Sequence, residues 1–287
     1  MTSPQADDLY SVAGLSRVLR HWELPPARRF GQNFLLDRDA IGDEIAAGDA
    51  AGGTILEIGH GLGSLTIPLA AVAASVVAVD IDPRCSRVLR TLLPEAAPVQ
   101  TVCDDVRNID PGKLGIVPPY TVMGNIPYNL TGSILRYITQ LRPLPRRAVL
   151  LVQKEVGERL CASPGRWGLS TVALQSVGKP RTIRVVPAAC FYPQPKVDSL
   201  LFAVEFSETV DDDMRSLVLQ LARGAFSMRR KRISNSLQAL LPAGLPAKKL
   251  LETAGLDPGL RPEALGMPEW TRLADAWRQL GLPVTGR

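Results

Sequence analysis

The sequence predicts an α/β fold, a doubly wound parallel sheet with helices on both faces, followed by a small all-helical domain. Between about Thr54 and Lys154, short apolar runs rich in β-branched residues alternate with amphipathic helical patterns. Near-continuous apolar strands of this kind are typical of a parallel sheet that is covered on both faces. A glycine-rich turn follows the first run, and beyond Phe206 only helical patterns remain.

Five apolar runs account for the expected parallel strands. Leu65, Leu69 and Val72 follow the first run at helical spacing, as Val88 and Leu92 follow the second. We expect all five of these side chains to lie in the core. The runs themselves are Thr54–Ile58, Ser75–Ile81, Val99–Cys103, Tyr120–Met123 and Ala148–Val152.

The last strand and the domain boundary come next along the chain. Ser199–Phe206 follows a turn-rich segment and is expected to complete the sheet at an edge. The first domain is predicted to span residues 1–206, with a basic amino-terminal segment at residues 1–35, and the helical domain residues 207–287. Asp211, Asp212 and Asp213 indicate a helix start. Further helices are expected at Ile233–Leu241, Ala247–Ala254 and Pro268–Leu280.

Composition limits the class of protein. The chain has 287 residues, of which 46% are hydrophobic and 21% charged, values that are ordinary for a globular protein. It shows neither an apolar run of membrane-spanning length nor a secretory signal, so we expect a cytoplasmic protein with no membrane partner. The net charge of +5 suits a polyanionic partner.

The four cysteines are widely spaced, and no two form a Cys-x-x-Cys pair. This spacing argues against a disulfide framework and against a zinc site, so no metal is expected. We interpret Cys85, Cys103, Cys161 and Cys190 as buried free thiols.

The glycine-rich turn and an acidic residue point to a nucleoside ligand. Gly59, Gly61 and Gly63 lie between a strand and a helix, where glycine lets a ligand approach the backbone, although a tight turn alone would also explain them. Asp80 closes the second strand 17 residues after Gly63, a spacing suited to a carboxylate that accepts bonds from ribose hydroxyls. The turn lacks the Gly-x-x-Gly ending of dinucleotide sites, so a pyrophosphate is not expected.

Two further carboxylates follow the third strand. Asp104 and Asp105 are adjacent, and one of them could accept the exocyclic amine of an adenine while the other stays solvated. Glycine backbone, a ribose acceptor and an adenine acceptor at one sheet edge suit S-adenosylmethionine.

Asn125-Ile126-Pro127-Tyr128 follows the fourth strand, and we name Asn125, Pro127 and Tyr128 the clamp. The amide oxygen of Asn125 and the carbonyl of Pro127 could accept the hydrogens of a ring amine, and Tyr128 could stack on the ring. The structural alternative is a turn with Tyr128 packed on the core. Together with the methyl donor, the clamp predicts transfer of a methyl group to a nucleobase.

With these residues in hand, the chain resembles the KsgA-type ribosomal RNA adenine dimethyltransferases. Their superfamily includes the erythromycin-resistance methyltransferases and mitochondrial transcription factor B. The similarity runs from Arg28 onward and implies a Rossmann-like class I methyltransferase domain. Its motifs are Arg29-Phe30-Gly31-Gln32-Asn33-Phe34-Leu35, Gln153-Lys154-Glu155-Val156 and Phe191-Tyr192-Pro193-Gln194-Pro195-Lys196-Val197-Asp198-Ser199.

The resemblance implies roles for individual residues. The clamp would hold the target base, and Phe191 would face Tyr128 across it, although the pattern alone equally suits a core aromatic. Contacts to S-adenosylmethionine would fall on Gln32, Asn33, Leu35, Gly59, Gly61, Asp80, Asp105 and Asn125.

The basic residues imply contact with RNA. Four cations in a row suit a phosphate backbone, but a solvated helix face is the usual reason for such a run. Two arginines near the amino terminus are open to the same two interpretations. These residues are Arg229, Arg230, Lys231 and Arg232 in the helical domain, and Arg28 and Arg29.

The sequence departs from the family pattern at His60, where proline is usual, and at Asp80, where glutamate is usual. The shorter Asp80 must approach the ribose more closely. His60 is either a loop residue without consequence or a ring near the methionine carboxylate that makes cofactor binding pH-dependent.

The resemblance implies an enzyme that dimethylates N6 of two adjacent adenosines near the 3′ end of 16S ribosomal RNA. Its partner would be an assembling small ribosomal subunit, and a monomer is expected. One alternative is a resistance methyltransferase that acts on 23S ribosomal RNA. The other is an RNA-binding assembly or transcription factor on the same fold.

Overall fold

The computed structural model describes residues 4–26, 31–207, 211–228 and 231–283. The chain forms two compact units. The first contains Met1–Glu158 and Pro180–Phe206, and the second contains Arg159–Lys179 and Ser207–Arg287. Residues 159–179, which the sequence analysis assigned to a first domain of residues 1–206, thus belong to the helical unit. The physical reason is that Trp167 and Val172 are buried in the core of that unit.

The first unit is built on a seven-stranded sheet in the order β4-β3-β2-β5-β6-β9-β7. Strands β4, β3, β2, β5 and β6 are parallel, and β9 runs antiparallel to β6. A separate two-stranded sheet pairs β1 with β8. The strands are β1 Phe34–Leu35, β2 Thr54–Ile58, β3 Ser75–Asp80, β4 Val99–Cys103, β5 Tyr120–Asn125, β6 Arg147–Gln153, β7 Gly178–Val186, β8 Phe191–Tyr192 and β9 Ser199–Phe206.

The predicted α/β architecture is confirmed, but the predicted edge strand is wrong. β9 lies between β6 and β7, so the edge is formed by β7, which the sequence analysis did not find. Lys179, Arg181 and Thr182 of β7 are exposed, and Pro180 has no backbone N–H to donate to a neighbouring strand. Proline and polar side chains are characteristic of edge strands, and they hide the apolar pattern by which strands are recognised.

Eleven α-helices lie within the described residues. Asp37 caps α2 by accepting the N–H groups of Asp39 and Ala40, and Asp82 caps α4 ahead of Pro83. The helices are α1 Val12–His21, α2 Arg38–Gly48, α3 Thr66–Ala70, α4 Pro83–Leu92, α5 Thr131–Gln140, α6 Lys154–Leu160, α7 Leu169–Gln175, α8 Asp212–Phe226, α9 Ile233–Gln238, α10 Ala247–Thr253 and α11 Met267–Gln279.

The main core of the first unit lies between the sheet and the helices α2 and α3. Ile41 of α2, Leu69 of α3 and Ile55 of β2 belong to one buried cluster. Leu65, Leu69 and Val88 are buried as predicted, whereas Val72 is 42% exposed and Leu92 is only partly buried. Val72 closes the short α3 at a turn that faces solvent, which helical spacing alone does not reveal.

The interpretation of the cysteines is correct for Cys85 only, because Cys103 is exposed and Cys161 and Cys190 are half-buried. Cys103 ends β4, the other edge strand of the large sheet. None of the helices in the described ranges is long and apolar enough to cross a membrane.

The second unit packs five helices, α7 to α11, around one apolar core. Trp270 and Trp277 of α11 are almost completely buried, and they share the core with Leu217 and Leu221 of α8. Asp211 caps α8 by accepting the N–H of Asp213, so the acidic run marks the helix start as predicted.

Candidate active site

A cavity of the first unit lies where the order of the parallel strands reverses. The chain proceeds outward from β2 through β3 to β4 on one side, and from β5 to β6 on the other. The crevice at the carboxyl ends of β2 and β5 is the usual ligand site of such sheets. The cavity there has about 1120 Å³, including the part that opens to solvent.

The cavity brings together almost every residue that was predicted to contact the cofactor or the target base. Residues from the end of β1, the β2–α3 turn and the ends of β3, β4 and β5 all line it. Those predicted beforehand are Gln32, Asn33, Leu35, Gly59, Gly61, Asp80, Asp105, Asn125, Pro127 and Tyr128, with Asp104 beside them.

The β2–α3 turn exposes its backbone to the cavity. Gly59, Gly61 and Gly63 have φ angles of 75°, 53° and 101°, which only glycine adopts readily. The N–H of Gly61 donates to Oδ2 of Asp80 over 2.8 Å, so the turn is tied to the end of β3. A side chain at Gly59 or Gly61 would require strained backbone at the wall of the cavity.

Asp80 is oriented by two backbone donors. In addition to Gly61, the N–H of Asp82 donates to its Oδ1 over 2.9 Å. Each carboxylate oxygen still has capacity for a second donor, such as a ribose hydroxyl. The carboxylate is therefore fixed in direction before a ligand arrives.

The two carboxylates after β4 differ in their partners. Asp105 accepts two bonds from the guanidinium of Arg107, which holds its pKa below the usual range. Asp104 accepts from the side chain of Asn108 over 3.0 Å and is exposed. Both line the cavity, and so both stay candidates for the adenine acceptor.

The segment before β1 forms another wall. Nε2 of Gln32 donates to Oδ2 of Asp82 over 3.2 Å, and the carbonyl of Asn33 accepts from Nδ2 of Asn125 over 3.4 Å. Leu35 is buried and pairs with Phe191 across the β1–β8 ladder. The segment thereby connects the cofactor side of the cavity to the clamp.

The clamp begins where β5 ends. Asn125 is the last residue of β5, and Tyr128 opens a 3-10 helix that ends at Leu130. The hydroxyl of Tyr128 shares a hydrogen bond of 2.7 Å with Oγ of Ser199, and burial raises the pKa of this tyrosine. The carbonyl of Pro127 accepts from the N–H of Leu130 and retains a second lone pair. The half-buried ring of Tyr128 is thus held at the wall of the cavity.

Phe191 lies elsewhere. It is 2% exposed, belongs to the core cluster of α2 and the sheet, and is absent from the described residues that line the cavity. The core position that the sequence pattern allowed is the one observed. Contact with a base opposite Tyr128 would require the ring of Phe191 to become uncovered.

The basic residues lie mostly outside the described ranges. Arg28, Arg29, Arg229 and Arg230 fall among residues that the structure does not describe. Lys231 and Arg232 are exposed at the start of α9 in the second unit. Their exposure suits either a phosphate contact or a solvated surface.

His60 is buried, and each of its ring nitrogens has a hydrogen-bond partner. It is 3% exposed, with Nδ1 2.8 Å from the carbonyl of Gly61 and Nε2 3.0 Å from Oγ of Ser86. A neutral ring with its proton on Nδ1 satisfies both contacts. Burial lowers the pKa of His60 below its ordinary value, which favours this neutral form.

Two buried acids at the cavity wall were missed by the sequence analysis as functional residues. Glu44 of α2 and Glu57 of β2 are each 1% exposed, and burial raises the pKa of each to about 8. Oε1 of Glu44 and Oε2 of Glu57 have no hydrogen-bond partner among the described residues. The available signal was an acid inside an apolar strand run and another on the apolar face of a helix beside Ile41.

The site suits a cationic nucleoside such as S-adenosylmethionine. The exposed glycine backbone and the carboxylates at two strand ends match a ribose and an adenine. The partnerless oxygens of Glu44 and Glu57 give the same cavity an acidic wall.

Comparison with known proteins supports the same interpretation. The model of the ribosomal RNA adenine dimethylase family matches residues 26–265. Two relatives named ribosomal RNA small subunit methyltransferase A come from Desulforapulum autotrophicum and Anaeromyxobacter dehalogenans. The first is 36% identical and the second 38%, over 92% and 89% of this chain and 96% and 95% of the relative.

Two solved structures are similar throughout. A dimethyladenosine transferase from Plasmodium falciparum has a TM-score of 0.73 and 25% identity, over 87% of this chain and 99% of that one. The 23S rRNA methyltransferase ErmE has a TM-score of 0.68 and 25% identity, over 85% and 99%. The extent of the family match and the identity of the relatives show that the chain belongs to the ribosomal RNA adenine dimethylase family.

Proposed function

We propose that this enzyme dimethylates N6 of two adjacent adenosines near the 3′ end of 16S ribosomal RNA during small-subunit biogenesis. The methyl donor is S-adenosylmethionine. The observation that carries the proposal is the position of the clamp, which shares one cavity with the glycine turn and Asp80 at the strand reversal. The proposal implies a cytoplasmic location, with an assembling subunit as substrate and a monomeric enzyme.

The clamp supplies what an adenine amine needs in order to react. The amine is a weak nucleophile because its lone pair is delocalised into the ring. Oδ1 of Asn125 and the carbonyl of Pro127 accept the amine hydrogens, and Tyr128 stacks on the ring and fixes its plane. A strong base is unnecessary, since the alkylated nitrogen loses its proton easily.

The other lining residues hold the donor. When bound, S-adenosylmethionine supplies an electrophilic methyl group. In this proposal Asp80 accepts from the ribose, Asp105 accepts from the adenine amine, and the backbone at Gly59 and Gly61 admits the nucleoside closely. Gln32, Asn33, Leu35 and Asn125 complete the donor site.

The small-subunit substrate is favoured over the large-subunit alternative. The relatives whose names specify the small subunit are 36% and 38% identical, whereas ErmE is 25% identical. The target must leave its stack to reach the clamp, so an RNA loop is more accessible than a duplex. A role as a binding factor alone is less favoured, because the clamp is intact and lies at the cavity.

The test is methyl transfer from labelled S-adenosylmethionine to purified small subunits that lack the modification. Large subunits serve as the matched control substrate. Primer extension should stop at two adjacent adenosines near the 3′ end of the 16S RNA. Label on the 23S RNA, or on neither RNA, would contradict the proposal.

A further inference from the structure

Carboxylic acids are the main ionisable groups that line the cofactor cavity. Among the described residues that line it are five carboxylic acids and neither a lysine nor an arginine. S-adenosylmethionine carries one more positive charge than S-adenosylhomocysteine, the product it leaves, because the sulfonium becomes a neutral thioether. A negative wall therefore distinguishes donor from product by charge. The five acids are Glu44, Glu57, Asp80, Asp104 and Asp105.

Two of these acids are buried in the wall, each only 1% exposed. Glu44 lies on α2 and Glu57 on β2. The charge of Glu57 raises the pKa of Glu44, and the charge of Asp80 raises the pKa of Glu57. Thr66 of α3 approaches Glu57, and the backbone N–H of Gly124 in β5 favours the charged form of Glu44. These contacts are too few to satisfy the pair, since Oε1 of Glu44 and Oε2 of Glu57 remain without partners.

We infer that Glu44 and Glu57 act together as a pair of buried acids that makes the cavity prefer the cationic methyl donor to its neutral product. Two buried carboxyl groups that each leave an oxygen without a partner cannot both ionise cheaply, so the pair keeps a proton near neutral pH. A bound sulfonium favours release of that proton, and the neutral product does not. The pair acts as a specificity determinant for the donor, and the inference rests on the proposed function because it requires S-adenosylmethionine as the ligand.

The pH range of the effect follows from the pair. Burial raises the pKa of both acids to about 8, so their negative charge grows as the pH rises from neutral to 9. His60 also lines the cavity, but burial lowers its pKa, and it stays neutral above pH 6.5. The α-amino group of the ligand titrates in this range as well, but donor and product both carry it, so it cancels in their ratio.

The experiment measures the dissociation constants of S-adenosylmethionine and S-adenosylhomocysteine by calorimetry between pH 6.5 and 9. The preference for the donor is the dissociation constant of S-adenosylhomocysteine divided by the dissociation constant of S-adenosylmethionine. In the unmodified protein it should rise about fivefold, because the added negative charge attracts the sulfonium of the donor and not the thioether of the product. In Glu44→Gln the rise should largely disappear while binding of the product persists.

The control is Asp43→Asn, which removes the same charge from the exposed neighbouring position of α2. Its preference should follow the unmodified protein. A second measurement at pH 7.5 compares binding heats in buffers of different ionisation enthalpy, and donor binding should release more protons than product binding. Glu57→Gln provides an independent variant should Glu44→Gln fold poorly.

The outcomes separate this inference from the proposed function. A preference that is independent of pH, or unchanged in Glu44→Gln, would overturn the acid pair while leaving methylation intact. If neither ligand binds, the proposed function fails and the inference fails with it.

Discussion

At the scale of single residues, the hydrogen bond between Tyr128 and Ser199 determines how firmly the clamp is held. The two oxygens lie 2.7 Å apart, and Ser199 is completely buried at the start of β9. The strand β9, which lies between β6 and β7, thus fixes an aromatic ring at the cavity.

Tyr128→Phe and Ser199→Ala should each lower kcat for methylation about tenfold, because each frees the ring at a cost of ~1.4 kcal/mol. The double variant should be no worse than either single one, since both remove the same bond. Single-turnover assays on small subunits provide the measurement. Tyr128→Ala, which loses the ring itself, should abolish methylation and leave RNA binding nearly intact. Additive losses in the double variant would show that the two residues act separately.

His60 links the stability of the site to pH. Its pKa is lowered in the folded protein by burial, so the unfolded chain binds a proton at a higher pH than the folded one does. The contribution of His60 to the free energy of unfolding should therefore fall as the pH drops below about 6.5 and stay constant above it.

Urea denaturation between pH 5 and 8 tests this expectation. The difference in free energy of unfolding between the unmodified protein and His60→Gln should change as the pH falls below about 6.5, whereas the difference for His21→Gln, at an exposed position of α1, should not. The same slope in both variants would exclude His60 as the cause.

At this scale, sequence reasoning located the polar residues at strand ends, because the chemistry of Asp80 and Asn125 follows from their place on a parallel sheet. It did not locate Glu44, since the packing of α2 over β5 and β6 brings that acid to the cavity wall, and no local pattern reports such packing. For Phe191 the sequence pattern allowed a position in the core or a position facing the target base, and these two positions differ only in tertiary packing.

At the scale of elements, the close approach of β2 and β5 shapes the cavity. A Cβ atom on Gly124 would lie 2.3 Å from the carbonyl oxygen of Ile58, a distance shorter than any allowed van der Waals contact. The two strands can therefore lie side by side at the reversal point only with glycine here.

Gly124→Ala should reduce the free energy of unfolding by about 3 kcal/mol, because the strands must separate. It should also weaken binding of S-adenosylmethionine. Gly132→Ala is the control, since a Cβ there meets nothing within 4 Å and the residue lies in α5, where alanine is the better helix former. Denaturant titration of both variants provides the measurement. Equal stabilities would disprove the steric argument.

Elements were predicted well where the local pattern and the burial agree. β2 and β9 have the predicted bounds because their neighbours on both sides enforce a strand. β7 was missed because it pairs on one side only, and a half-exposed strand with lysine, proline and arginine resembles a loop.

At the scale of the whole molecule, the cavity and two exposed basic residues belong to different units, which predicts that the methyl donor and the RNA bind independently. The residues that line the cavity belong to the first unit, and Lys231 and Arg232 belong to the second. Loss of these two cations should weaken RNA binding without changing the affinity for S-adenosylmethionine.

The double variant Lys231→Ala, Arg232→Ala should reduce the slope of log affinity against log salt by about 1 to 2. Filter binding of a 16S RNA fragment at several salt concentrations measures this slope. Lys249→Ala, at an exposed position of α10 in the same unit, is the matched control. An unchanged slope in the double variant would assign both side chains to the solvated surface.

The chain crosses from one unit to the other three times, at residues 158, 179 and 206. A ribosome making this protein therefore finishes residues 159–179 well before the helices that bury Trp167 and Val172 exist. A truncated product ending at Phe206 would carry those apolar side chains uncovered and be prone to aggregate. A usable catalytic fragment would instead need Glu158 joined to Pro180 by a short polar linker.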